Sequence, residues 1–300
     1  AQQPLDYLQN LYEKKLATYP RTDSQFITAD MQATVGSLAL WLWQNMPYTK
    51  DCSAAPELER IINDSKVTDH HAILPTVEIA HTDLSALPAG EKNVLMLIAT
   101  RLLCATAQPH RFEAVTATLK VESHIFTAKG KTVLLDGWKG IERAFRAELR
   151  QKPQQEDEND DTDRLPELRE SQQFTNISAS VREGKTTPPK HYTEDSLLAA
   201  METAGAEETP DDAERKGLGT SATRAAILEK LVSTGFVQRK KKQLLPSEKG
   251  INLIAVLPEV IKSPSLTAEW ESMLKQVERG EIIANAFMDG IAKLVRDLIQ

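Results

Sequence analysis

The spacing of apolar residues changes twice along this chain, which restricts it to a mixed, multi-domain architecture. Over the first 110 residues the spacing is helical, with Leu5, Leu8, Tyr12 and Leu16 on one face. Thr28 stands where it would cap a second helix, with Asp30 in the first turn and Val35, Leu38 and Leu42 further along. A third helix is expected from about Gly90 to Thr106, closed by Pro109. The period then drops to two. Val115, Ala117, Leu119 and Val121 alternate with Thr116, Thr118 and Lys120, the pattern of a half-buried strand. Further strands are expected at 124–128 and 131–135 around a Lys129-Gly130 turn, and through Thr175, Ile177, Ala179 and Val181. From Thr193, a capping residue before Glu194 and Asp195, helical spacing returns through Leu197, Leu198 and Met201. A further helix is expected from about Thr220 to a C′ glycine at Gly235. FVQRKKKQLLP then reads as two short strands around a basic turn, and Ser247 caps one more helix. Helix, basic hairpin, helix is the order of a winged helix-turn-helix unit, although an ordinary surface helix and hairpin would look the same. The expected fold is α+β and mostly helical, divided into a helical part (1–110), a β-containing part (111–190) and a winged-helix-like part (191–300).

A length of 300 residues suits two or three domains, and 41% apolar with 26% charged residues suits a globular chain rather than a disordered tail. No apolar run approaches the roughly 18–20 residues of a membrane helix. The most apolar stretch, Val94 to Ala107, is broken by Arg101 and reads as a buried helix. No membrane association is expected. The opening AQQPLDYLQN has neither an initiator methionine nor a signal-peptide pattern, and it falls inside a helical stretch, so an excised piece of a longer protein is the expectation. Cys52 and Cys104 are too few for a disulfide framework or a four-ligand zinc site, which suits a reducing cytoplasm. The net charge of −7 argues at first against nucleic acid. Its distribution argues otherwise. Glu156, Asp157, Glu158, Asp160, Asp161 and Asp163 concentrate negative charge in a solvated loop at 151–164, whereas residues 213–250 carry nine Lys and Arg against three Glu.

LYEKKLATYPRTDSQFIT carries the most specific chemistry. Pro20 pushes Tyr19 out of the α region, so a helix cannot run through it and its ring is presented on a break. Arg21 lies two residues on, on the same side in extended geometry. A phenol with a pKa near 10 is a poor nucleophile until its anion is stabilised, and a guanidinium both favours the phenolate and binds phosphate bidentately. Thr22, Asp23 and Ser24 add polar side chains suited to a local turn. By itself a Tyr-Pro-Arg run fits a plain surface turn equally well.

Three separated segments, in order, nevertheless resemble the type IA DNA topoisomerases, of the bacterial topoisomerase III kind. YPRTDS is similar to their active-site motif; VTDHHAILPT at 67–76 is similar to their His-His-Ala-Ile-Ile-Pro-Thr segment. GLGTSATRAAIL at 217–228 is similar to Gly-Ile-Gly-Thr-Pro-Ala-Thr-Arg, with Ser221 in place of the usual proline. HYTEDSLLAAME at 191–202 resembles the stretch that precedes it, and the likeness spans about residues 5 to 285. The resemblance implies that Tyr19 and Arg21 are catalytic, with His70 assisting near the scissile phosphate and His71 the alternative. Adjacent imidazoles make a poor chelate, so these histidines are not read as metal ligands. Asp23, Ser24, His71, Thr220, Ser221, Thr223, Arg224, Lys240, Lys241 and Lys242 are expected to contact DNA. In the glycine-containing segment, Thr220 and Ser221 would cap the helix, leaving its N–H groups and Arg224 for phosphates. No Gly-Lys-Ser/Thr follows, so it is not a Walker A loop.

What the resemblance implies as a whole is a helical gate, a β-containing arch and a CAP-like, winged-helix base that holds single-stranded DNA. Cleavage would proceed through a 5′-phosphotyrosine without ATP. The Mg²⁺ site of the family lies in an N-terminal TOPRIM domain that has no counterpart here. Asp161-Thr162-Asp163 sits in a low-complexity acidic run with no hydrophobic strand before it, and no metal is expected to bind this stretch. Expected partners are single-stranded DNA, the TOPRIM domain of the same protein, and a RecQ-type helicase or single-strand-binding protein, in a cytoplasm-, nucleoid- or plasmid-associated setting. The rival expectation is a non-catalytic winged-helix DNA-binding protein.

Overall fold

A computed structural model describes residues 1–49, 56–149, 164–175, 177–207 and 217–299. Cys52 and the acidic block lie outside the described residues. The chain divides into two compact units, Tyr7–Tyr19 with Ser24–Thr186, and Ala1–Asp6 with Pro20–Asp23 and Thr187–Gln300.

The first unit holds the main apolar core. Helices α1 (Gln2–Glu13), α2 (Gln32–Asn45), α3 (Ala89–Thr106) and α4 (Trp138–Leu149) contribute to it, with Leu11, Leu42, Leu95, Leu103 and Ile141 almost fully buried. Each such side chain withdrawn from water favours folding by about 1.5–3 kcal/mol. Helix α1 stops earlier than the apolar stripe suggests. Lys15 adopts a left-handed φ of 61°, its N–H donates to Tyr12 O at 2.9 Å, and Leu16 N–H donates to Leu11 O at 2.8 Å. These are the paired bonds of a Schellman cap, so Leu16 is buried beyond the helix rather than within it, and the helix ends well before Pro20. Thr28 likewise leads into a 3₁₀ turn at Ala29–Met31 without a side-chain cap, and the Ala29 N–H donates instead to Asp64 Oδ1 at 2.7 Å.

The β part of this unit is one antiparallel ribbon, β1 (Arg111–Val121) with β2 (His124–Leu135). The turn expected at Lys129-Gly130 is absent, because those residues pair with Thr116 and Val115 inside a continuous strand. The reversal comes at Glu122-Ser123, where Glu122 has φ 54°. The half-burial implied by alternation holds only towards the end of β1, where Ala117, Leu119 and Val121 are half-buried between exposed Thr118 and Lys120; Val115 is exposed, and on β2 Ile125 is 70% and Leu134 66% exposed. The segment through Thr175, Ile177 and Val181 forms no strand among the described residues, and Val181 is 97% exposed. Alternation marks a chain able to pair; it does not supply the partner.

The second unit contains α5 (Glu194–Thr203), α6 (Arg224–Ser233), the hairpin β3 (Val237–Lys240) and β4 (Gln243–Pro246), and α7 (Glu248–Val256), followed by α8 (Glu259–Lys262), α9 (Ser265–Glu278) and α10 (Ala284–Ile299). Helix α6, the basic hairpin and α7 thus follow one another in the order expected from the sequence. Thr193 and Ser196 form a reciprocal capping box on α5, and Ser247 Oγ accepts from Gly250 N–H to cap α7. Gly235, at φ 79°, closes α6: its N–H donates to Val232 O and that of Phe236 to Leu231 O. The α6 start differs from expectation. Thr223, not Thr220 or Ser221, occupies its N-cap, and its Oγ1 accepts from the Thr220 N–H at 2.8 Å within the turn.

Candidate active site around Tyr19

Backbone pairing brings two of the sequence motifs together inside the first unit. Ala17 bridges Pro75 in antiparallel fashion, Thr18 N–H donates to Leu74 O at 2.9 Å, and Thr76 N–H donates to Leu16 O at 3.0 Å. Thr18 reinforces the pairing with its side chain, since Oγ1 accepts from Leu74 N–H at 2.9 Å and lies 3.4 Å from Ala72 O. Thr76 Oγ1 donates to Lys15 O at 2.5 Å. The segment carrying Tyr19 is thus stitched along the segment carrying His70.

The side chains follow. The rings of Tyr19 and His70 lie with centroids 4.5 Å apart and tilted by 48°. Tyr12, from the last turn of α1, meets Tyr19 edge-on at 5.4 Å and 76°. Tyr19 is half-buried between them and His70 is exposed. His71 is turned aside, with Nδ1 2.8 Å from Ala72 O. Ser24 Oγ donates to Lys66 O at 2.8 Å and accepts from Phe26 N–H at 3.1 Å, shaping the chain after the tyrosine. Below Tyr12, Lys14 Nζ pairs at 2.5 Å with Glu91, whose carboxylate also accepts from Asn10 and is nearly buried on α3. The exposed-edge role of Tyr12, the Thr18 links and the Glu91 clamp were all missed in the sequence. Only Tyr12 left a signal there, an aromatic residue seven positions before Tyr19.

Arg21, Thr22 and Asp23 belong to the second unit, and the Arg21 and Asp23 side chains are exposed. Within this unit Ser221 Oγ donates to Thr22 O at 2.9 Å, so the glycine-containing segment meets the backbone of the Pro20–Asp23 stretch. Gly217 and Gly219 take φ of 80° and 69°, and a Cβ on Gly217 would lie 2.4 Å from the Met201 and Glu202 carbonyls. Only a residue without a side chain fits that close approach. Arg224 Nε donates to Leu218 O at 3.2 Å, and Thr220 Oγ1 sits 3.0 Å from Thr223 Oγ1. Lys240, Lys241 and Lys242 are exposed at the tip of the hairpin, Lys241 with φ 57°. Arg239, one residue earlier, is engaged with the fold: Nε donates to Glu194 at 2.6 Å and the guanidinium forks onto Glu229. Glu229 foremost, then Glu194, hold the Arg239 proton more tightly than usual.

The profile of the DNA topoisomerase family covers residues 1–289. The chain belongs to the DNA topoisomerase family. Within it, the sequence is similar to the bacterial, type IA topoisomerases III. It is 35% identical over 313 residues to DNA topoisomerase 3 of Bacillus licheniformis, covering 100% of this chain and 42% of that protein. Against DNA topoisomerase 3 of Bacillus subtilis the identity is also 35%, covering 96% of this chain and 40% of the relative. The chain therefore spans about two-fifths of the length of these curated relatives. The crystal structure of full-length topoisomerase I from Thermotoga maritima superposes with a TM-score of 0.60 at 20% identity, covering 99% of this chain and 46% of that one, a likeness of fold. The α+β, mostly helical, multi-domain expectation thus holds for this chain. No helix among the described residues is long and apolar enough to cross a membrane.

Proposed function

We propose that this chain carries the nucleophile of a type IA DNA topoisomerase and that Tyr19 is the residue that cleaves the strand. The Tyr19 Oη attacks a backbone phosphorus, a new P–O bond forms to the phenol, and the bond from phosphorus to the 3′ oxygen breaks. The phenol gives up its proton and the departing 3′ oxygen gains one, leaving a 5′-phosphotyrosine and a free 3′ hydroxyl. Another strand passes, and the 3′ hydroxyl reverses the attack. One phosphodiester is exchanged for another of the same kind, so no ATP is required. The observation that carries this reading is the pairing that packs His70 against the Tyr19 ring.

In this reading His70 steadies the phosphate, and Arg21, two residues along the chain and so within about 7 Å of backbone reach, neutralises its charge. Residues 1–110 serve as the gate, 111–190 as the arch and 191–300 as the winged-helix base. Asp23, Ser24, His71, Thr220, Ser221, Thr223, Arg224 and Lys240 to Lys242 contact single-stranded DNA. Mg²⁺ does not fit the side chains described here, because no cluster of three His, Cys, Asp or Glu could hold it among the described residues. Its ligands, with the proton donor for the 3′ oxygen, belong to a TOPRIM domain of the same protein. A RecQ-type helicase or single-strand-binding protein is the expected partner, and the bacterial cytoplasm, at nucleoid or plasmid DNA, the expected place.

The test is covalent trapping. Whole protein is mixed with end-labelled single-stranded DNA, denatured and resolved by gel. Wild type should give a protein–DNA adduct that Tyr19→Phe does not, while Tyr19→Phe binds the oligonucleotide within about threefold, since only the nucleophile is lost. An adduct in Tyr19→Phe overturns the assignment. Binding without any adduct in wild type favours a non-catalytic winged-helix DNA-binding protein instead.

A further inference from the structure

We propose that Tyr12 is a positioning residue for the Tyr19 nucleophile, an inference that rests on the reading of Tyr19 as the attacking group. A tyrosine on an open turn would rotate about two side-chain torsions, and its oxygen would sweep a wide arc. Attack on phosphorus needs that oxygen in line with the bond that breaks, and a misplacement of about 1 Å costs on the order of 10²-fold in rate. Something must therefore restrict the ring. His70 packs against it at 4.5 Å. Tyr12 meets it edge-on at 5.4 Å, in the geometry that aromatic quadrupoles favour.

Tyr12 is well placed for this because it is itself held. It lies in the last turn of α1, one turn before the Schellman cap, and its carbonyl accepts from the left-handed Lys15. Its neighbour Leu11 is fully buried. The residues on either side, Asn10 and Lys14, are tied to the buried Glu91 carboxylate on α3. Helix α1 is thus anchored to the core at its end, and Tyr12 transmits that anchoring to the Tyr19 ring. Yet Tyr12 is 39% exposed, more than core packing alone would require.

The test compares Tyr12→Leu and Tyr12→Phe in the whole protein by single-turnover trapping, with enzyme in excess over labelled single-stranded DNA and Tyr19→Phe run alongside. Leucine keeps helix propensity and apolar surface but removes the ring. Tyr12→Leu should slow adduct formation roughly 10- to 100-fold and slow religation by a similar factor, because both pass through one transition state. The final adduct fraction should stay close to wild type, and Tyr12→Phe should restore the rate to within about threefold. A merely structural role would lower the reacting fraction and leave its rate constant unchanged, which would overturn the proposal, as would failure of Tyr12→Phe to rescue. If Tyr12→Leu does not fold, Tyr12→Met carries the same comparison. An adduct in the parallel Tyr19→Phe lane would instead overturn the choice of nucleophile.

Discussion

Tyr19 and the Lys240–Lys242 turn are both surface features announced by short motifs, but they are held by different means. Tyr19 sits on a segment hydrogen-bonded along Leu74–Thr76, close to buried Leu11, Leu16 and Ala17. Its position derives from backbone bonds and core packing, which salt scarcely screens. The basic hairpin has Leu244 buried and otherwise little cover, and Arg239 ties it to Glu194 and Glu229 through partly exposed ion pairs. Such pairs contribute little each and weaken with ionic strength. In the proposed reading, chemistry that demands close placement falls on the first kind of support, and charge that needs only to be near a phosphate falls on the second.

The sharpest way to break this contrast is at the histidine pair. His70→Ala should reduce covalent adduct formation roughly 10²-fold, the scale of one lost transition-state contact, while His71→Ala, which removes a ring bonded to the Ala72 carbonyl, should stay within about fivefold. Equal losses in a trapping assay would mean that the 4.5 Å contact is not what distinguishes them. Next in size is Thr18→Val. It keeps the shape but deprives the buried Leu74 N–H of its acceptor, and it should cost about 1–3 kcal/mol by chemical denaturation. A neutral result would mean that the pairing does not depend on that side chain.

Somewhat smaller is an alkaline effect in the same unit. Tyr48 is buried, donates or accepts at 2.8 Å with Thr100, and burial pushes its hydroxyl up to about 12. The folded state therefore keeps the proton longer than the unfolded chain does. The stabilisation is fully present below about pH 10 and is lost as pH rises toward 12, at most about 2.7 kcal/mol in all. Tyr48→Phe should flatten this limb of a stability–pH curve, at a cost of about 1 kcal/mol near neutrality for the lost hydrogen bond. A limb unchanged by Tyr48→Phe would assign it to another group.

How much of this was legible follows from how local each determinant is. Caps written within a few residues, Thr193, Gly235 and Ser247, could be read directly. So could α3, and the wing with its basic tip. Motif order pointed to Tyr19 and His70, but nothing local told that residues 16–18 pair with 74–76, because that register depends on contacts more than fifty positions apart. The helix end at Lys15 was misread because its cap uses a lysine in a conformation that usually selects glycine. The ribbon was misdivided because Lys129-Gly130 has turn chemistry, while the actual reversal uses Glu122-Ser123. Ser221 was read as a cap, whereas its hydroxyl bonds a carbonyl about two hundred residues earlier in the chain.

The smallest expected effects belong to the wing, and they sharpen the comparison most directly. Lys240, Lys241 and Lys242 are exposed, and the tightest fixed cation beside them, Arg239, is spent on Glu229 and Glu194. If the lysines meet DNA phosphates, each Lys→Ala should weaken binding to single-stranded DNA only a few-fold. The slope of log affinity against log salt should fall by about 0.7 for each contact removed. Lys241 allows charge to be separated from geometry. At φ 57° it occupies a conformation that suits glycine, so Lys241→Gly should leave the hairpin as stable or up to about 1 kcal/mol more stable. It should nevertheless bind as weakly as Lys241→Ala in fluorescence anisotropy titrations across salt. A Lys241→Gly variant that binds like wild type would show that the turn contributes shape rather than charge, and the wing would then resemble the Tyr19 segment after all.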